Sequence, residues 1–111
     1  MKNKNLIIIS NEKISKDNSF YCDNIDMKTI PEDLGSIFNV TLIARNSKIK
    51  RSRKINLDKI QCSSSIFSYI YNILKTLKKQ NTIYLVISIT PYAFLSYLFL
   101  LIFRKKVYVY L

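Results

Sequence analysis

Histidine is missing from the 111 residues. With it go the commonest general base, every Ser–His–Asp or Cys–His arrangement and any zinc site built on imidazole. Glycine occurs once, at Gly35, so neither a G-x-G-x-x-G turn nor a P-loop is present to cradle phosphates. That glycine and two prolines exclude collagen-like or linker character. The two cysteines, Cys22 and Cys62, form no C-x-x-C pair and read as free thiols of a reducing compartment. Acids are scarce: seven Asp and Glu against eighteen Lys and Arg give a formal charge of +11. Such an excess attracts nucleic acid, anionic headgroups or phosphorylated substrates, although part of it reflects a chain crowded with Lys, Asn and Ile. What remains is 49% hydrophobic and 23% charged, the composition of one folded domain rather than a disordered tail.

The opening Leu6-Ile7-Ile8-Ile9 run is too short for a signal peptide and reads as a strand buried on both faces. Ser10 to Phe20 turns polar and reads as a long loop. Thr29-Ile30-Pro31-Glu32 has the form of a capping box, with Ile30, Leu34, Ile37 and Phe38 following on one helical stripe. In that reading Gly35 weakens the helix from inside, and Glu32 and Asp33 belong to its amino end. Val40 to Ala44 reads as a second buried strand, and a weaker extended piece follows near Lys54 to Ile60. Ser63, Ser64 and Ser65 offer N-caps to the clearest helix, whose apolar face is Ile66, Phe67, Ile70, Tyr71, Ile73, Leu74 and Leu77. Lys75, Lys78 and Lys79 close it, where positive charge suits the helix dipole.

Positions 82–103 carry no charge and are long enough for a membrane span. Their texture changes midway, from β-branched Ile83–Ile89 to Leu- and Phe-rich Tyr92–Phe103, with Thr90-Pro91 at the junction. A proline suits a helix first turn and disfavours helix in the residue before it. A strand, a turn and a helix therefore account for the segment better than one span does, the alternative being a small basic protein anchored through 82–103. Val107 to Leu111 reads as a last strand. Strands alternating with helices, each strand nearly all apolar, predict an α/β fold: a Rossmann-like three-layer α/β/α domain over 1–111 with a mostly parallel sheet. A closing strand with no helix after it points to an incomplete unit.

The segments Asn5-Leu6-Ile7-Ile8-Ile9-Ser10-Asn11, Asn39-Val40-Thr41-Leu42-Ile43-Ala44-Arg45, Tyr84-Leu85-Val86-Ile87-Ser88-Ile89-Thr90-Pro91-Tyr92 and Val107-Tyr108-Val109-Tyr110 carry a family texture. In order and composition they resemble the N-terminal, acceptor-side domain of two-domain GT-B glycosyltransferases of the family-4 group. The resemblance implies a cytoplasmic transferase of cell-envelope or surface polysaccharide synthesis, peripheral on the inner membrane face. It also implies a C-terminal donor-binding domain outside these residues, so the chain alone should be inactive. The family often has a histidine in the loop after the strand at Ile83–Ile89. Its absence here argues against a direct catalytic role, and no catalytic residue, cofactor or metal is assigned.

Loops at strand carboxyl ends carry function in such folds. Asn11, Ser19 and Asp23 are accordingly candidates for contact with a sugar or lipid-linked acceptor, as are Ser88, Thr90 and Tyr92. Arg45, Lys48, Lys50, Arg51, Arg53 and Lys54 form a basic stretch suited to an anionic membrane surface. Nucleic acid is a poorer partner, because no aromatic residue interleaves these charges as a stacking platform. Asp23, Asp26, Glu32 and Asp33 lie close in sequence without forming a recognisable acid–base pair.

Overall fold

The computed structural model describes residues 4–57, 59–87 and 91–110. Along the chain these are β1 (Asn5–Asp17), β2 (Ser19–Cys22), α1 (Ile25–Leu34), β3 (Asn39–Asn46) and β4 (Arg53–Lys54). They continue as β5 (Ile60–Ser63), α2 (Ile66–Thr76), β6 (Thr82–Ile87), α3 (Pro91–Ile102) and β7 (Val107–Tyr110). The fold is α/β, as expected, with five parallel strands in the order β5-β3-β1-β6-β7. Central β1 pairs on both sides: Ile7 lies opposite Thr41 of β3 and Tyr84 of β6.

Side chains alternate across a strand, so β1 feeds two cores. Leu6 and Ile8 pack with Val40, Leu42 and Ala44 under Met27 of α1. Ile7 and Ile9 pack on the other face with Ile43, Tyr84 and Val86, beneath Tyr69 and Ile73 of α2 and Leu100 of α3. Full burial of each such isoleucine contributes about 1.5–3 kcal/mol, which is why these strands are unbroken apolar runs. The crossover from β3 to β5 carries no helix. Its extended chain instead tucks Ile55 into the α1 core, with Leu57 packed alongside.

Several sequence expectations are corrected. The segment from Ser10 to Phe20 is no loop: β1 runs on to Asp17, turns through Asn18 at φ 61° and returns as β2, with Ser15 opposite Tyr21. Two-residue β4 extends this antiparallel flap by pairing with β2. Of the extended piece near Lys54 to Ile60, only its two ends are strand: β4 ends at Lys54 and β5 begins at Ile60. Helix α1 starts five residues earlier than the capping box implied. Asn24 is the cap, accepting from the Asp26 N–H at 2.9 Å, and Pro31 lies inside the helix. Glu32 and Asp33 therefore occupy the last turn, and Gly35 is the C-cap rather than an interior residue.

The charge-free segment 82–103 divides as the strand–helix reading expected. Strand β6 ends at Ile87, and the twelve-residue α3 has Pro91 as its first residue. At about 1.5 Å per residue α3 is roughly 18 Å long, against about 30 Å for a bilayer's hydrocarbon core. No described helix is long and apolar enough to cross a membrane. With so little glycine, left-handed backbone falls to other residues. Arg104, at φ 56°, ends α3 in a Schellman arrangement, its N–H bonding Leu101 O and the Lys105 N–H bonding Leu100 O, both at 3.0 Å.

Candidate functional site

Polar residues gather where the parallel strands end. Ser10 follows Ile9 on β1 and donates its hydroxyl to Ile43 O at 3.1 Å, stitching β1 to β3. The Tyr69 hydroxyl of α2 donates to Ser10 O. Burial pushes that phenol well above its ordinary pKa, partly opposed by the Arg45 charge and a hydrogen bond with Ser96. Beyond Ile9 the pairing of β1 with β3 shifts register before resuming at Lys13. Asn11 sits in this irregular stretch, and its Oδ1 accepts from Arg45 Nη1 at 3.4 Å.

The row continues across the sheet. Asn46 at the end of β3 donates to Ser64 Oγ at 2.7 Å, and Asn72 of α2 donates to Ser63 Oγ at 2.7 Å. Ser65 rather than its neighbours is the helix cap, accepting from the Ser68 N–H at 3.2 Å. Asn46, Ser64, Tyr69 and Asn72 were not among the site candidates read from the sequence. The change from Ile43-Ala44 to Arg45-Asn46 was the available signal, since it marks where a buried strand reaches solvent.

The other candidates do not join this row. Asp23 follows the flap, and its carboxylate is fully engaged. Oδ2 accepts from Arg51 Nη1 at 2.9 Å, and Oδ1 accepts from the Ser52 N–H at 3.0 Å and its hydroxyl at 3.1 Å. The Arg51 bond, followed by that of the Ser52 N–H, holds the Asp23 carboxyl below the usual range. Asp23 thus folds the basic stretch back onto the flap. Arg53 Nε also donates to the Asp23 carbonyl at 3.3 Å, and the Arg51 N–H donates to Ser15 Oγ at 3.0 Å. Lys48, Lys50 and Lys54 remain exposed, with Lys50 reaching Asp17 at 3.9 Å. Ser19 begins β2 and lines a recess with Phe20, Lys54 and Ile55. Ser88 and Thr90 lie outside the described residues, and Tyr92 is the second residue of α3.

Among the described residues no group of three or more His, Cys, Asp or Glu side chains forms a metal cluster. Both thiols are free, and burial raises each to a pKa of about 11, so neither is an activated nucleophile. The carboxyl edge therefore offers amide, hydroxyl and guanidinium groups: a hydrogen-bonding surface for polar or anionic ligands, with no built acid–base pair among the described residues. No family model, no curated protein and no solved structure matches the chain.

Proposed function

We propose that the chain is a Rossmann-like, acceptor-side domain of a GT-B type glycosyltransferase, receiving a sugar or lipid-linked acceptor of cell-envelope or surface polysaccharide synthesis. The observation that carries this reading is the strand order. Numbered among the parallel strands alone, β5-β3-β1-β6-β7 runs third, second, first, fourth, fifth, so the order reverses between β1 and β6. Ligand crevices of open α/β sheets form outside the carboxyl ends at such a reversal. Asn11 lies two positions beyond Ile9, which is paired with Val86 of β6, so the reversal has Asn11 and Arg45 on its β1 side.

The chemistry of the edge favours an acceptor over a nucleotide. In dinucleotide-binding folds the first strand leads through glycines into a helix whose N–H groups hold pyrophosphate. Here β1 leads into a hairpin, and the lone glycine caps α1. A donor-binding domain outside these residues would supply the nucleotide site, and the chain alone would transfer no sugar.

The test is a titration of the isotopically labelled chain with a water-soluble, short-chain saccharide phosphate lipid, followed by amide shifts. Shifts should centre on Asn11, Arg45 and Asn46, and Asn11→Ala should weaken binding about tenfold, the loss of a hydrogen bond to a charged or well-ordered partner. A nucleotide-sugar should leave these amides unmoved. Turnover of a nucleotide-sugar by the chain alone, or acceptor shifts confined to another surface, would overturn the reading.

A further inference from the structure

The outward side of α2 and α3 is apolar. Phe67 is 84% exposed and Ile102 72%, with Tyr71, Leu98 and Leu101 open as well. A groove lined by Ile66, Ile70, Leu74 and Leu95 joins the two helices. Contiguous exposed apolar surface of this kind marks a site of interaction. The expected apolar face of α2 is shared: the sheet takes Ile73, with Tyr69 and Thr76 beside it, while Phe67, Tyr71 and Leu74 face outward.

The same surface has a charged rim at one end. Helices α2 and α3 both return from the carboxyl to the amino edge of the parallel sheet, so their C-termini finish together. There Lys105 Nζ donates to Leu77 O at 3.0 Å, which draws the chain after α3, with exposed Arg104, to the end of α2, where Lys75, Lys78 and Lys79 are exposed. The Lys75 ammonium also lies 5.1 Å from the Tyr71 ring centre. From position 59 onward the sequence contains no Asp or Glu.

An apolar face with cations at its border fits the interface of an anionic bilayer, where side chains enter the acyl boundary and ammonium groups meet headgroup phosphates. A second copy of the chain would bring the same acid-free, basic surface, so like charges disfavour self-association through it. We propose that the α2/α3 face docks peripherally on a bilayer containing anionic lipid, with the rim of Lys75, Lys78, Lys79 and Arg104 among the headgroups. This surface is not the basic stretch of residues 45–54, which lies at the opposite, carboxyl edge of the sheet. The proposal does not depend on the sugar-transfer reading.

Flotation of the full chain with vesicles tests it. Vesicles of phosphatidylcholine with phosphatidylglycerol should carry the protein, those of phosphatidylcholine alone should not, and added salt should weaken the binding. Lys78→Gln with Lys79→Gln should lower affinity about 25-fold, roughly fivefold for each charge lost. Phe67→Ser with Ile102→Ser should lower it at least about tenfold, since both side chains lose their apolar burial in the interface. Lys48→Gln with Lys54→Gln, in the other basic region, should change it less than about twofold, because neither residue lies on the docking face. Circular dichroism confirms that each variant is folded. Failure to bind either vesicle overturns the proposal, as does equal binding to both or a larger loss from the Lys48/Lys54 pair than from the rim pair. A dimer that the Phe67/Ile102 pair abolishes, without vesicle binding, would assign the face to a second copy.

Discussion

The two faces of the sheet are closed by different chemistry. On one side a single helix, α1, shares the work with an extended connector, and a carboxylate ties them together. Glu32 takes two hydrogen bonds from Lys28 Nζ, at 2.8 and 2.7 Å, and one from the Asn56 N–H at 2.7 Å. On the other side two apolar helices cover the sheet. They are held by apolar packing and by buried hydroxyls, including the 2.7 Å contact between Thr76 Oγ1 and the Tyr84 hydroxyl. The first side carries acids and a lysine at its outer surface beside an exposed Ile25; the second leaves Phe67, Leu98 and Ile102 open. A buried inner surface therefore does not determine what the outer surface of the same layer is for.

The comparison breaks most visibly in the core. Ile8 and Ile9 are neighbours on β1, fully buried on opposite faces. Ile8→Ala and Ile9→Ala should each destabilise by about 2–5 kcal/mol in urea unfolding. A loss below about 1 kcal/mol for Ile9→Ala would mean that α2 and α3 are not firmly packed on the sheet. A smaller effect is expected at the helix ends. Gly35 caps α1 in ordinary right-handed backbone at φ −62°, whereas Arg104 holds the left-handed position after α3. Arg104→Gly should raise stability by about 1 kcal/mol, the strain of a left-handed side chain, readable as a higher thermal midpoint.

Acid is the gentlest probe, and it acts on the α1 side. Burial disfavours the charged form of Glu32, but the Lys28 bond and the Asn56 N–H outweigh it and leave its pKa lowered; that of Asp23 is lowered chiefly by Arg51. A carboxylate with a lowered folded pKa contributes stability above its unfolded value, and that contribution is lost as pH falls through the folded one. Stability should therefore decline from about pH 4 downward. Glu32→Gln should flatten that decline, measured by unfolding at a series of pH values.

These contrasts explain what could be read in advance. Parallel strands buried on both faces leave continuous apolar runs, so Leu6–Ile9, Val40–Ala44 and the segment around Tyr84 were legible, as was the break before Pro91. The flap was not. In Lys13-Ile14-Ser15-Lys16-Asp17 only Ile14 and Ser15 are buried, and the strand is held by its pairing with β3 and then β2 rather than by an apolar pattern. Thr29, Pro31 and Glu32 imitate a helix start because each residue type suits one, yet Asn24 followed by Asp26 was the cap. The stripe Ile66, Phe67, Ile70, Tyr71, Ile73, Leu74 and Leu77 predicted the helix correctly and its buried face in part: Ile73 is buried with Ile70 and Leu77 against the core, whereas Phe67, Tyr71 and Leu74 are exposed. The Tyr69 and Thr76 hydroxyls find partners inside, which no hydrophobic pattern registers. Of the candidate site, Asn11 and Arg45 meet as neighbours, whereas Asp23 serves to hold the basic stretch.

Because β1 is one strand from the middle of the sheet to the tip of the flap, that projection is anchored like a lever in a wall. A force applied to Asp17 or Ser19 reaches the deepest part of the molecule directly. Its pairing with β3 is interrupted between Ile9 and Lys13, and Asn11 and Arg45 meet at that interruption.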